Sequence, residues 1–122
     1  MSLSLYVYNE ELHGSQLVSM ARDLIKLIVG DMNLQANADH DEGWVISVRQ
    51  LTNIVCWTNA LVFRSYRQEL YKRLKERNLI MKNDYTWINA DDNDFIRLNY
   101  CFVEALTNAL DDEVPCVFVV WN

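Results

Sequence analysis

Asp39-His40-Asp41-Glu42 places one imidazole among three carboxylates, donors that could hold a divalent cation. Consecutive side chains seldom converge on one ion, and no second His or Cys stands at zinc-ligand spacing. The stretch therefore reads as a solvated acidic loop. Asn89 to Phe95, NADDNDF, has the acid density of a calcium loop. That loop needs Gly at its sixth position and Glu at its twelfth. Counted from Asn89 those positions hold Asp94 and Tyr100, so the acids read as a helix cap instead. Cys56 or Cys101 with His13 would make a thiol nucleophile and its base. Such a thiol needs an electropositive, accessible setting. Cys56 lies between Val55 and Trp57, and Cys101 between Tyr100 and Phe102, so both read as buried sulfur. Gly14, Gly30 and Gly43 are isolated, which leaves no glycine-rich phosphate loop. The expectation is a protein with no catalytic residues, no metal and no cofactor.

What remains is binding, and charge is the guide to it. The chain carries a net charge of −6, unevenly spread. Residues 64–82 hold seven basic and two acidic side chains, a net +5. Residues 84–113 hold eight acids against Arg97, a net −7, and residues 1–63 a net −4. Arg64, Arg67, Lys72 and Lys75 are the candidates for a nucleic-acid contact. Acidic segments flank them, and a pI near 4.7 would repel phosphates at long range. The leading expectation is instead an acidic module that binds a protein, most naturally a basic one that handles nucleic acid. An immunity protein, an antitoxin or a phage-encoded decoy would fit. Asp39, Asp41 and Glu42, or Asp91, Asp92 and Asp94, are the candidate acidic contacts. Trp44 and Trp121 are the aromatic side chains expected to reach a surface, where such residues anchor partners. A homo-oligomer using a strand edge or an aromatic patch is a further alternative.

Local patterns say what must position these residues. Residues 3–9 alternate, with Leu3, Leu5 and Val7 on one side, and predict a strand. Leu17, Met20, Leu24 and Ile28 recur at helical spacing. Asn9 or Ser15 is the expected cap, Glu10 and Glu11 favour an early start, and Gly30 is the stop. Trp44–Val48 predicts a short strand, and Ser47 with Gln50 a capping box. Val48 to Asn78 is helical, either bent or broken near Thr58-Asn59. Phe63, Tyr66, Leu70 and Leu74 span about 80° of a wheel and predict its buried stripe, with Arg64, Lys72 and Lys75 opposite. Asp84–Asn89 is a candidate strand. A helix follows the acids at 90–94 and closes near Leu110. Asp111–Pro115 reads as a turn, and Cys116–Asn122 as a strand buried on both faces.

The resulting expectation is one domain over residues 1–122, α/β or α+β. Three to four helices pack on a small sheet that includes the N-terminal and C-terminal strands. Half the residues are hydrophobic, enough for one core. The first residues lack the basic and apolar regions of a signal peptide, and the longest uncharged segment, Gln50–Phe63, is too short to span a bilayer. Three scattered cysteines read as buried free thiols. Together these point to a cytoplasmic protein.

Overall fold

The computed structural model describes residues 4–30, 42–78 and 90–121, with the side chains of Glu42 and Trp121 left aside. In chain order the elements are β1 (Ser4–Val7), β2 (Glu10–His13), α1 (Ser15–Val29), β3 (Glu42–Ser47), α2 (Val48–Ala60), α3 (Arg64–Glu76), α4 (Asp92–Asp111) and β4 (Cys116–Trp121). The strands form one antiparallel sheet in the order β2-β1-β4-β3, and the helices pack on it. Of the two expected forms this is α+β, with N- and C-terminal strands paired at its centre. The candidate strand at 84–89 lies outside the described residues.

Alternation along the strands sends Leu5, Val7, Leu12, Trp44, Ile46, Val117 and Val119 into the core. These side chains form one cluster with Leu24 and Ile25 of α1, Leu51 and Ile54 of α2, and Phe95, Leu98 and Phe102 of α4. Trp44 is therefore a core residue at 2% exposure, and its placement at a surface is corrected. Its neighbour Val45 takes the outward position. β4 is likewise buried on one face only. Val117 and Val119 point inward, whereas Cys116 and Phe118 are exposed. The run is apolar on both faces, but only one has a helix layer against it.

Residues 8–13 form a hairpin rather than the start of a helix. Tyr8, at a φ of 53°, turns β1 into β2, where Leu12 supplies the inward apolar side chain. α1 then begins after Gly14, with no side-chain cap, in place of Asn9 or Ser15. Gly30 does end it, at a φ of 86°, its N–H donating to the Lys26 carbonyl.

The Ser47 capping box is formed. Gln50 N–H donates to Ser47 Oγ at 3.1 Å and Ser47 N–H to Gln50 Oε1 at 2.9 Å. α2 continues unbroken through Thr58-Asn59 to Ala60, and the buried Thr58 hydroxyl is partnered. It donates to the Val55 carbonyl and accepts from Asn99 Nδ2 of α4, both at 3.0 Å. The break comes later, in tight turns at Leu61–Phe63, so the segment holds two helices.

Candidate protein-binding surface

At the break, Arg67 is the organising residue. Its side chain is 11% exposed. Nε donates to the Leu61 carbonyl at 2.6 Å and Nη2 to the Val62 carbonyl at 2.9 Å. Both carbonyls lie at the C-terminal end of α2, where acceptors lack helical partners. Nη1 reaches Asp92 Oδ1 at 2.8 Å, and the guanidinium lies 3.9 Å over the Phe95 ring. One planar cation thus ties α2, α3 and α4 together. The buried face of α3 is accordingly centred on Arg67, Leu70 and Leu74, while Phe63 and Tyr66 are more than half exposed. The stripe is rotated toward Arg67 because the guanidinium finds carbonyls there that no apolar side chain could satisfy.

This placement divides the basic candidates. Arg67 is committed within the fold. Arg64 is exposed, its Nε 3.6 Å from Asp92. Lys72 is exposed, and Lys75 lies 5.2 Å over the Tyr71 ring. Arg73 pairs with Glu69 at 3.2 Å, as their spacing predicts. A cleft of about 550 Å3 is lined by Arg64, Arg67, Gln68 and Tyr71 of α3 and by Ala90, Asp91 and Asp92, so its walls carry both signs of charge.

The acids at 91–94 are largely engaged as well. Asp91 caps α4, accepting from Asp94 N–H at 3.0 Å while Asp94 accepts from Asp91 N–H at 3.3 Å. The hydrogen bond from Arg67, then the nearby charge of Arg64, holds the Asp92 carboxyl below the usual carboxylate range. Asp39 and Asp41 lie outside the described residues. Glu42 opens β3 and Trp121 ends β4, their side chains undescribed.

A different acidic region is assembled at the other end of α4. The Tyr8 hydroxyl donates to Asp112 Oδ2 at 2.5 Å, which raises the Tyr8 pKa, and Asn108 Nδ2 donates to Glu10 Oε1 at 3.1 Å. These bonds hold the β1–β2 hairpin against the C-terminal end of α4, with Glu10 on Asn108 and Tyr8 on Asp112, whose chain neighbours are Asp111 and Glu113. The last turn of α4 contains no basic residue, so these acids stand at the negative pole of a 20-residue helix. The triplet Asp111-Asp112-Glu113, read from sequence as a turn, escaped selection. The available signal was three acids directly after a helix that lacks a terminal Lys or Arg.

The cysteines differ from expectation in two cases. Cys56 and Cys116 are exposed, and only Cys101 is buried. Burial, with a smaller contribution from nearby Glu10, pushes the Cys101 thiol up to about 12. It therefore stays protonated and cannot serve as a nucleophile at neutral pH. Among the described residues no group of His, Cys, Asp and Glu is placed to hold a metal ion, and no helix is long and apolar enough to cross a membrane. Compared with protein-family models, curated proteins and solved structures, the chain matches none.

Proposed function

We propose that this chain is an acidic protein-binding module that docks its hairpin–α4 end onto a cationic partner. The observation that carries the reading is the acid triplet Asp111-Asp112-Glu113 at the negative pole of α4, which makes no ion pair among the described residues, with Glu10 hydrogen-bonded to Asn108 one turn earlier. Acids there oppose the helix dipole and repel one another, which weakens the free protein slightly. A cationic surface would remove that repulsion on binding and would be steered to it from a distance. A basic protein that acts on nucleic acid is the partner class, and inhibition by covering its phosphate-binding surface is the mechanism.

The test is affinity capture from the native host, comparing the parent with the double variant Asp111→Asn/Glu113→Gln. The reading expects a basic protein that is held by the parent, released by salt, lost with the variant, and slowed on its nucleic-acid substrate. Capture indifferent to both salt and the variant would refute it.

A further inference from the structure

α4 buries Phe95, Leu98, Cys101, Phe102, Ala105 and Ala109 on its core side. On the opposite side stand Ile96, Tyr100, Val103, Thr107 and Leu110, alternately four and three residues apart. On a helical wheel these five lie within about 80° of one another, along a stripe roughly 21 Å long. Ile96 is 50% exposed, Tyr100 64% and Leu110 58%, with Val103 half-buried among them. The Thr107 hydroxyl donates back to the Val103 carbonyl at 2.9 Å, so the hydroxyl on the stripe is already satisfied. Single exposed apolar side chains are ordinary on a protein surface. A row of them at a mean spacing of about 3.5 residues is the seam by which one helix packs on another.

We infer that this stripe receives an amphipathic helix of the partner, apolar along one side and basic on its margins. The inference rests on the cationic partner proposed above and names the element that partner presents. Charge beside the stripe selects the occupant. Glu104 and Asp111 flank it and Asp112 and Glu113 stand at its end, against a single base, Arg97. An acidic helix would be repelled along most of that length. A second copy of α4 meets the same objection in either direction. Laid parallel, Asp111-Asp112-Glu113 faces its own copy. Laid antiparallel, Asp94 of each copy falls opposite Asp112 of the other, with Asp92 and Glu113 beside them and Arg97 the lone offset. A basic helix finds acids to pair with throughout. Its favoured direction is antiparallel to α4, which sets its positive N-terminal pole against the acid triplet. Its Lys and Arg then belong in its first and middle turns, and an acid opposite Arg97 in its last. This is the helix-docking mode of peptide recognition. A contact of one helix on one stripe is small, so the affinity is micromolar and falls with salt.

Three synthetic peptides of about 18 residues, five turns of helix, test this on the full chain. The first has a Leu seam at alternating four- and three-residue spacing with Lys on its margins. The second keeps the Lys and replaces the seam with Gln. The third keeps the seam and carries Glu on its margins. Fluorescence anisotropy gives each affinity, and circular dichroism the helix gained on binding. The first peptide should bind in the micromolar range, gain helix, and hold at least about tenfold more tightly than either of the others. Added salt should weaken it, and Ile96→Asp or Tyr100→Asp should weaken it by about tenfold. No binding of the first peptide would overturn the inference. So would equal binding of the first and second, which removes the seam, or of the first and third, which removes charge as the selector. A chain that sediments alone as a dimer and becomes monomeric with Tyr100→Asp would give the stripe to a second copy and overturn it too. The three peptides are compared on the parent protein, so they decide even if a variant fails to fold. The acidic-module reading is decided separately, by host capture with the Asp111→Asn/Glu113→Gln variant, and survives if only the first and second peptides bind alike.

Discussion

Replacing Arg67 tests the account of how the helical layer is held. Arg67→Ala removes charged donors from the Leu61 and Val62 carbonyls, at 2.6 and 2.9 Å, and lifts a cation off the Phe95 ring. Hydrogen bonds to a charged donor are worth about 1.5–3 kcal/mol each, and a partly desolvated cation–ring contact about 1 kcal/mol. Taking the lower value for each bond, because water can reach the vacated carbonyls, gives a loss of about 4 kcal/mol. The pairing with exposed Asp92 adds little to this, since solvent screens it. Arg67→Lys recovers a single point donor and should still lose about half of that, because one ammonium cannot meet two carbonyls and lie over a ring. Urea denaturation followed by tryptophan fluorescence measures both. Arg67→Ala should lower the melting temperature by roughly 10 °C or more for a chain of this size. The Asp92 contribution has its own signature. Its folded pKa is depressed, so this stability is present above the unfolded carboxylate value and is lost as pH falls through the folded one. Asp92→Asn should flatten that acid limb. If Arg67→Ala and Arg67→Lys both lie within about 1 kcal/mol of the parent, the clamp is not what holds this corner.

Thiol titration of the native protein should show two fast groups, Cys56 and Cys116, and a third that reacts only on denaturation, because Cys101 is buried with its pKa pushed up to about 12. Gly43→Ala should destabilise the sheet by about 1–3 kcal/mol in urea melts, since its Cβ would stand 2.4 Å from the Val119 carbonyl oxygen, a backbone atom that cannot swing aside. Asp111→Asn should stabilise the chain by a few tenths of a kcal/mol at low salt, and less at high salt, by relieving the negative pole of α4.

Much of the architecture was legible because local signals agreed. Leu5 and Val7 alternate with Ser4 and Tyr6, Ser47 and Gln50 spell a capping box, and Gly30 follows the last apolar turn of α1; each appears in the structure. The β1–β2 hairpin was not legible. β2 has four residues with one inward apolar side chain, and its two glutamates equally suit a helix start. The outward face of β4 misled for a related reason: an unbroken apolar run looks the same whether one layer covers it or two. Trp44 and Val45 show the limit of residue type as a guide, since pleat parity decided which of them is buried. Arg67 was legible as one of the basic residues of its helix. Its role was not, because its acceptors are backbone carbonyls, which a sequence does not distinguish.

The strand order also sets when the sheet can form. β1 lies between β2 and β4, and Val7 pairs with Val119. The hairpin can close at once, but its partner at the centre of the sheet is about 110 residues away, roughly 5–20 s of synthesis. Throughout that interval β1 presents an unpaired edge, with Leu5 and Val7 alternating beside it. The helices can assemble early, yet nothing in them seals that edge. The nascent chain is therefore exposed to misassociation along β1 until β4 emerges.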